Sequence, residues 1–297
     1  MAENLNRREA LAAAALSLTA LPVIATDKPG DKPADKPVVI PENALVVLVM
    51  DPLSAQLSCP CVSGYGQRDY DRLGAYLAEK VGRAVAVVYG ESLAGALKKS
   101  GAKAHLVIGK DSVVRATAPG NKLTVTYLAA LTGKDGKTTQ TGLVCVAAAD
   151  KAVTPADLKE HTIYFGNPAA EEKSAAAVKV LKEFGLEVPA PLDTCATCSE
   201  GATKVVEEAK AGKKVAAVIS SYAQPLLEGC GTIKKGELRV IAETDPVPFI
   251  AAFATDGLAP ADRAAVKAAL LDVGKNKALC TAIETKAGFV EPPAKKK

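Results

Sequence analysis

A chain of 297 residues, 48% hydrophobic and 24% charged, is long enough for about two domains with a substantial buried core. The formal charge of +4 includes the terminal run Lys295-Lys296-Lys297. Without that tail the chain is close to neutral, so no broad basic face for nucleic acid is implied. With only His105 and His161, a His-based hydrolase triad is poorly supplied.

In chain order, Arg7-Arg8 precedes an uncharged stretch over 10–20, which ends near Val23-Ile24-Ala25. A charged start, a short apolar stretch and a small residue at the end describe a secretory signal over 1–25. The stretch is too short for a permanent membrane anchor. The paired arginines leave the twin-arginine route and the general route both open. Residues 26–44 carry a repeated Asp-Lys-Pro, which has nothing to bury and reads as a tether. The protein is therefore expected to be exported to the periplasm or another extracytoplasmic space.

The folded part starts with a continuous apolar run, Leu45–Met50, expected as a strand buried on both faces. Residues 70–81 have helical periodicity, with Leu73, Tyr76, Leu77 and Lys80 on one face. A strand over 84–89 follows, then a helix capped by Ser92 and a third strand over 104–108. Further on, strands are expected over 142–147, 162–165, 215–219, 238–242 and 249–253. Helices are expected over 170–184, 201–211, 259–271 and 276–285, with Pro260 at a helix start where its missing N–H costs little. Alternating strands and helices imply an α/β chain whose sheets are mostly parallel and flanked by helices. In such sheets loops, and so ligands, collect at the carboxyl ends of the strands.

Ligand motifs are few. Gly109-Lys110-Asp111-Ser112 lacks the upstream glycine of a phosphate-binding loop, and Gly64-x-Gly66-x-x-Asp69 fails the dinucleotide fingerprint at its last position. No H-E-x-x-H occurs, and nothing in the chain calls for an enzyme. Of the seven cysteines, Cys145 lies in an apolar strand and reads as a small buried hydrophobe. Cys280 ends a helix, and Cys230 sits in a Gly-rich turn. Cys59-Pro60-Cys61 follows the first strand, and Cys195-x-x-Cys198 precedes a helix. Three readings stand open for these two pairs. They are disulfides, with Cys195–Cys198 the feasible short bridge and Cys59–Cys61 a strained one. They are ligands for a copper or zinc ion. Or they are a redox pair. A c-type haem is excluded at Cys195–Cys198, because Ser199 stands where His is required.

The segment QRDYDRLGAYLAEKVGRAVAVVYGESLAGALKKSGAKAHLVIGKDS, residues 67–112, resembles the first lobe of phosphonate/phosphite-type periplasmic substrate-binding proteins. Thr154-Pro155-Ala156-Asp157-Leu158-Lys159 with Thr162-Ile163-Tyr164-Phe165-Gly166 is similar to a segment of the second lobe. The run ELRVIAETDPVPFIAAFATDGLAPADRAAVKAALL is similar to the return to lobe one. This resemblance implies two α/β lobes with a cleft between them. Lobe one would comprise 45–140 and 245–292, lobe two 141–244, with a basic tail over 293–297. It also implies a solute-binding protein, acting as a monomer, that clamps a small molecule or ion. The solute would be handed to the membrane component of an ABC transporter or to a sensor.

The chain departs from the family where an oxyanion would be held. A Ser/Thr cluster at a helix start is replaced by Gly166-Asn167-Pro168-Ala169-Ala170-Glu171-Glu172-Lys173-Ser174, and Glu200 replaces a histidine. Negative charge there disfavours phosphonate or phosphate. The expected ligand contacts are Tyr65, Tyr89, Ser92, Lys110, Asp111 and Ser112 from lobe one. From lobe two they are Glu171, Ser199, Glu200, Ser220, Ser221 and Tyr222. An extracytoplasmic metal-handling or thiol-redox protein, using Cys59, Cys61, Cys195 and Cys198, is the alternative.

Overall fold

The computed structural model describes residues 38–58 and 67–291. The expected signal, most of the tether, Cys59, Cys61, Tyr65 and the basic tail lie outside these residues. Among the described residues no helix is long and apolar enough to cross a membrane.

The first lobe is built on a sheet ordered β12-β4-β11-β3-β1-β2. Its strands are β1 (Leu45–Met50), β2 (Val85–Tyr89), β3 (Leu106–Lys110), β4 (Val125–Leu131), β11 (Ile250–Thr255) and β12 (Phe289–Val290). Alternate side chains of β1 serve two separate cores. Leu45, Val47 and Val49 join the cluster beneath α1 (Tyr70–Val81), and Val46, Leu48 and Met50 join that beneath α2 (Leu93–Lys99). Cover on both faces is why β1 is apolar without interruption. Helix α1 begins where the Asp69 carboxylate accepts from the Arg72 amide, and stops at Gly82, whose φ of 67° suits a residue without a β-carbon. The Ser92 hydroxyl caps α2 as expected.

The second lobe holds the sheet β7-β8-β6-β9, from β6 (Gly142–Ala147), β7 (Thr162–Tyr164), β8 (Val215–Ser220) and β9 (Leu238–Glu243). Helices α4 (Ala175–Glu183) and α5 (Cys198–Lys210) cover its two faces. The chain crosses between the sheets on β5 (Thr139–Gln140) and β10 (Val247–Pro248), which pair antiparallel. Short helices α3 (Asp111–Thr117) and α6 (Ala223–Gly229) follow β3 and β8, and α7 (Pro260–Asp272) and α8 (Lys277–Ala282) precede β12.

The α/β class and the two lobes are as expected, but the sheets are not mostly parallel. In the first, β1 pairs parallel with β2 and β3, whereas β11 with β3, β11 with β4 and β12 with β4 are antiparallel. In the second, only β7 with β8 is parallel. The cause is the crossing. Strands β11 and β6 each enter a lobe directly from a crossing segment, with no helix in between, and so run away from the cleft. The neighbours β3 and β8 run toward it. Helix α4 also starts later than its pattern suggests, because Glu171–Lys173 forms a 3-10 turn before it. Helix α5 starts earlier, at Cys198.

That 3-10 turn lies directly on β6. A β-carbon added to Gly142 would stand 1.9 Å from the Glu172 carbonyl oxygen. Gly142→Ala is therefore expected to lower stability in urea unfolding by about 2 kcal/mol or more. Gly120→Ala is the control, since its added carbon meets nothing within 4 Å.

Candidate ligand-binding cleft

Strands β3 and β8 end facing each other across the gap between lobes, and their last residues are Lys110 and Ser220. The Lys110 ammonium donates to Glu172 Oε1 at 2.6 Å and to Ser220 Oγ at 3.2 Å. Ser220 Oγ in turn donates to the same Glu172 oxygen at 2.7 Å. Glu172 is fully buried, and its other oxygen, Oε2, is a buried atom without a hydrogen-bond partner. Lys110 belongs to the first lobe, Glu172 and Ser220 to the second. The pair thus ties the two lobes together directly.

Aromatic rings surround the knot. The Lys110 ammonium lies 5.0 Å from the centre of the Tyr222 ring, which stacks on Phe249 at 5.3 Å. Phe249 in turn carries the Arg68 guanidinium at 5.7 Å on the lobe-one side. A second polar bridge joins the Glu171 amide of lobe two to Ser112 Oγ of lobe one at 3.2 Å.

Burial alone lowers the Lys110 pKa, but Tyr222, Glu172 and Cys198 around it outweigh burial and raise it above the ordinary value. Burial pushes the Glu172 carboxyl up, yet Lys110 and Ser220 hold it below its ordinary value. Both groups are therefore charged near neutrality. Burial moves the Tyr222 hydroxyl to about 12, against the opposing pull of Lys110, so it stays neutral.

Cys198 opens α5 behind Ser220. Its sulfur accepts from the Ser220 amide at 3.4 Å and lies 3.6 Å from both Ser220 Oγ and Lys173 Nζ. Cys195 is buried under α5, with its sulfur 4.0 Å from the β-carbon position of Gly201, and burial pushes its thiol up. Both thiols are free, so the short bridge between them is not formed. Cys145 is fully buried, as its apolar strand suggested, and Cys230 and Cys280 are also free. Among the described residues no group of three or more His, Cys, Asp and Glu could hold a metal ion.

Of the residues read from the sequence, Lys110, Ser112, Ser220 and Tyr222 meet at the junction, joined by the backbone of Glu171. Asp111 lies beside them. Its amide donates to the Phe249 carbonyl at 2.8 Å and its Oδ1 accepts from Arg115 at 2.9 Å. Ser221 Oγ accepts from the Thr141 amide at the crossing. Tyr89 and Ser92 serve lobe one itself, Tyr89 by donating to Asp71 and Ser92 by capping α2. Ser199 and Glu200 are in the first turn of α5, where Glu200 accepts from the Ala196 amide and pairs with Lys204. Glu171 is exposed, and it is its neighbour Glu172 that turns inward. Phe249 and Arg68 are cleft residues that sequence reading passed over, and of the acidic pair it took Glu171 as the ligand contact where Glu172 is the one that meets Lys110.

Arg68 is itself anchored. The Asp51 carboxylate accepts from Arg68 at 2.7 Å, from the Tyr70 hydroxyl at 2.5 Å and from the Leu53 amide at 2.8 Å. This ties together the described chain on either side of residues 59–66. His105, just before β3, accepts from the Val46 amide through Nδ1 at 2.9 Å.

A family model described as "ABC transporter, phosphonate, periplasmic substrate-binding protein" matches residues 65–296. The chain belongs to this family. None of the curated protein sequences compared with it matches. Among solved structures, PhnD1 of Prochlorococcus marinus in complex with methylphosphonate is similar, with TM-score 0.64 and 11% identity over 85% of this chain and 93% of that one. XAC2383 of Xanthomonas citri bound to ATP has TM-score 0.62 and 14% identity, covering 84% of this chain and 92% of that one. The binding protein component of a Pseudomonas aeruginosa ABC phosphonate transporter has TM-score 0.62 and 12% identity, covering 84% and 81%. At such identities these likenesses show the fold alone. The phosphonate-family membership makes this a solute-binding protein of a class that is exported and serves ABC transporters.

Removing one member of the buried pair leaves the other charge without compensation. Lys110→Met or Glu172→Gln alone is expected to cost about 3–5 kcal/mol in chemical unfolding, and the double variant much less than the sum. The pH profile follows from the same pair. Glu172 has a depressed folded pKa, so its stabilisation is complete above its ordinary 4.5 and is lost as pH falls through the acid range below that. Lys110 has a raised one, so its share is complete below 10.5 and is lost as pH rises through the folded value above that. Thermal melts below pH 4.5 should therefore fall more steeply for the native chain than for the double variant.

Proposed function

We infer that this family member is an exported, monomeric solute-binding protein for an ABC importer or a sensor, and that its cleft ligand is not a phosphonate. The observation that carries this is Glu172. The strongest donors at the junction, Lys110 Nζ and Ser220 Oγ, already serve an internal carboxylate. An oxyanion entering lobe two would meet that charge at close range, where the repulsion is little screened. Neighbours of the same fold are named as binding ATP and methylphosphonate, so the fold does not choose the ligand; the cleft side chains do. Closure would be a hinge motion at the paired crossing strands β5 and β10, with the ligand taking over contacts the lobes now make with each other. The metal-handling or redox alternative rests on Cys59 and Cys61, and of the second cysteine pair only Cys198 faces the cleft.

Methylphosphonate and phosphate at millimolar concentration are expected to leave the melting temperature of the exported chain unchanged. At least one solute from a broad metabolite panel should raise it and shrink the radius of gyration in small-angle scattering. A melting-temperature rise with micromolar methylphosphonate would sink the reading.

A further inference from the structure

The two walls of the cleft carry opposite charges, and each is at present the other's partner. On lobe one stands the Lys110 ammonium at the end of β3. On lobe two stands the Glu172 carboxylate, held by Ser220 Oγ at 2.7 Å in a contact that opening does not break. When the lobes part, Lys110 leaves with one wall and Glu172 stays with the other. A ligand that closes the lobes while sitting between these two groups must compensate both charges. An anion satisfies Lys110 but leaves Glu172 buried opposite it, and a simple amine leaves Lys110 uncompensated. A neutral solute leaves both.

We propose that the cleft binds a small zwitterion, an amino carboxylate, whose carboxylate faces Lys110 on lobe one and whose ammonium faces Glu172 on lobe two. This rests on the reading that the cleft receives a small solute. The groups in place act as templates for both ends. The Lys110 ammonium now sits against a carboxylate, a serine hydroxyl and the face of Tyr222, which is a receptor for a primary ammonium. The partnerless, buried Glu172 Oε2 supplies a further acceptor for a ligand N–H. The group facing Lys110 is a carboxylate, flat and singly charged, so the matching ligand group is a carboxylate and not a dianionic phosphonate. The ligand's polarity follows as well: its anionic end points to lobe one, away from the acidic turn over 171–173.

Calorimetric titration of the exported chain with a charge series tests this. The series is 3-aminopropanoate and 4-aminobutanoate, propionate and butyrate, propylamine and butylamine, and 2-aminoethylphosphonate. An amino carboxylate is expected to bind at least about tenfold tighter than the acid or amine of matching length. Glu172→Gln should erase that preference, with the plain carboxylate then binding as well as the amino carboxylate. Near-ultraviolet circular dichroism checks that this variant is folded, and the Lys110→Met/Glu172→Gln pair, neutral on both walls, should show no preference for zwitterions. Equal binding of propionate and 3-aminopropanoate by the native chain overturns the zwitterion while leaving a solute-binding cleft. Tighter binding of 2-aminoethylphosphonate overturns the carboxylate and the exclusion of phosphonates together. If only uncharged solutes bind and close the lobes, the inference falls and the solute-binding reading stands. If no solute of any class closes the lobes, both fall.

Discussion

The organisation of the cleft depends on one buried ion pair, Lys110 with Glu172, made between lobes and shielded from water. Two charges taken out of solvent are tolerated only when each has a close partner and further hydrogen bonds. Ser220 supplies one such bond to each member, and the Tyr222 face supplies another contact to the ammonium. The rest of the junction serves this arrangement. Gly142 has no side chain because the turn carrying Glu172 must rest on β6. Cys198 fills the space behind Ser220 and accepts its amide.

A second polar knot stands behind the first. Asp51 gathers Arg68, Tyr70 and the Leu53 amide at the point where β1 ends. Arg68 then lies over Phe249, Phe249 stacks on Tyr222, and Tyr222 lies beside Lys110. The end of β1 is thereby connected to the cleft by a continuous series of packed planar groups. Burial pulls the Arg68 pKa down, but Asp51 and Tyr70 beside it outweigh burial and keep the guanidinium charged, while burial and the same Asp51 push the Tyr70 hydroxyl well up and keep it neutral.

Within its family the chain keeps the frame and changes the chemistry. Two sheets, two crossing strands and a cleft at strand ends are a scaffold, and ligand choice rests on a handful of side chains at its mouth. An acidic turn and a lysine facing it make the two walls of this cleft unlike in charge.

Much of the frame was legible from local pattern alone. The run Leu45–Met50 is apolar throughout because both faces of β1 are covered, helix α1 spans the 70–81 that its periodicity predicts, and Ser92 caps α2 by purely local chemistry. The strand-end rule also brought Lys110, Ser220 and Tyr222 into view. Sheet direction was not legible, because an antiparallel strand such as β11 is as apolar as a parallel one and its sense is set by where the crossing delivers it. Nor was Glu172 distinguishable from Glu171. Their sequence environments are nearly alike, and only docking of the 171–173 turn on β6 turns one carboxylate toward Lys110 and leaves the other in water. Sequence determined the elements, their caps and the charges available. Tertiary structure decided which charges meet, because residues 110, 172 and 220 come together only when two lobes and a long-range crossing are in place.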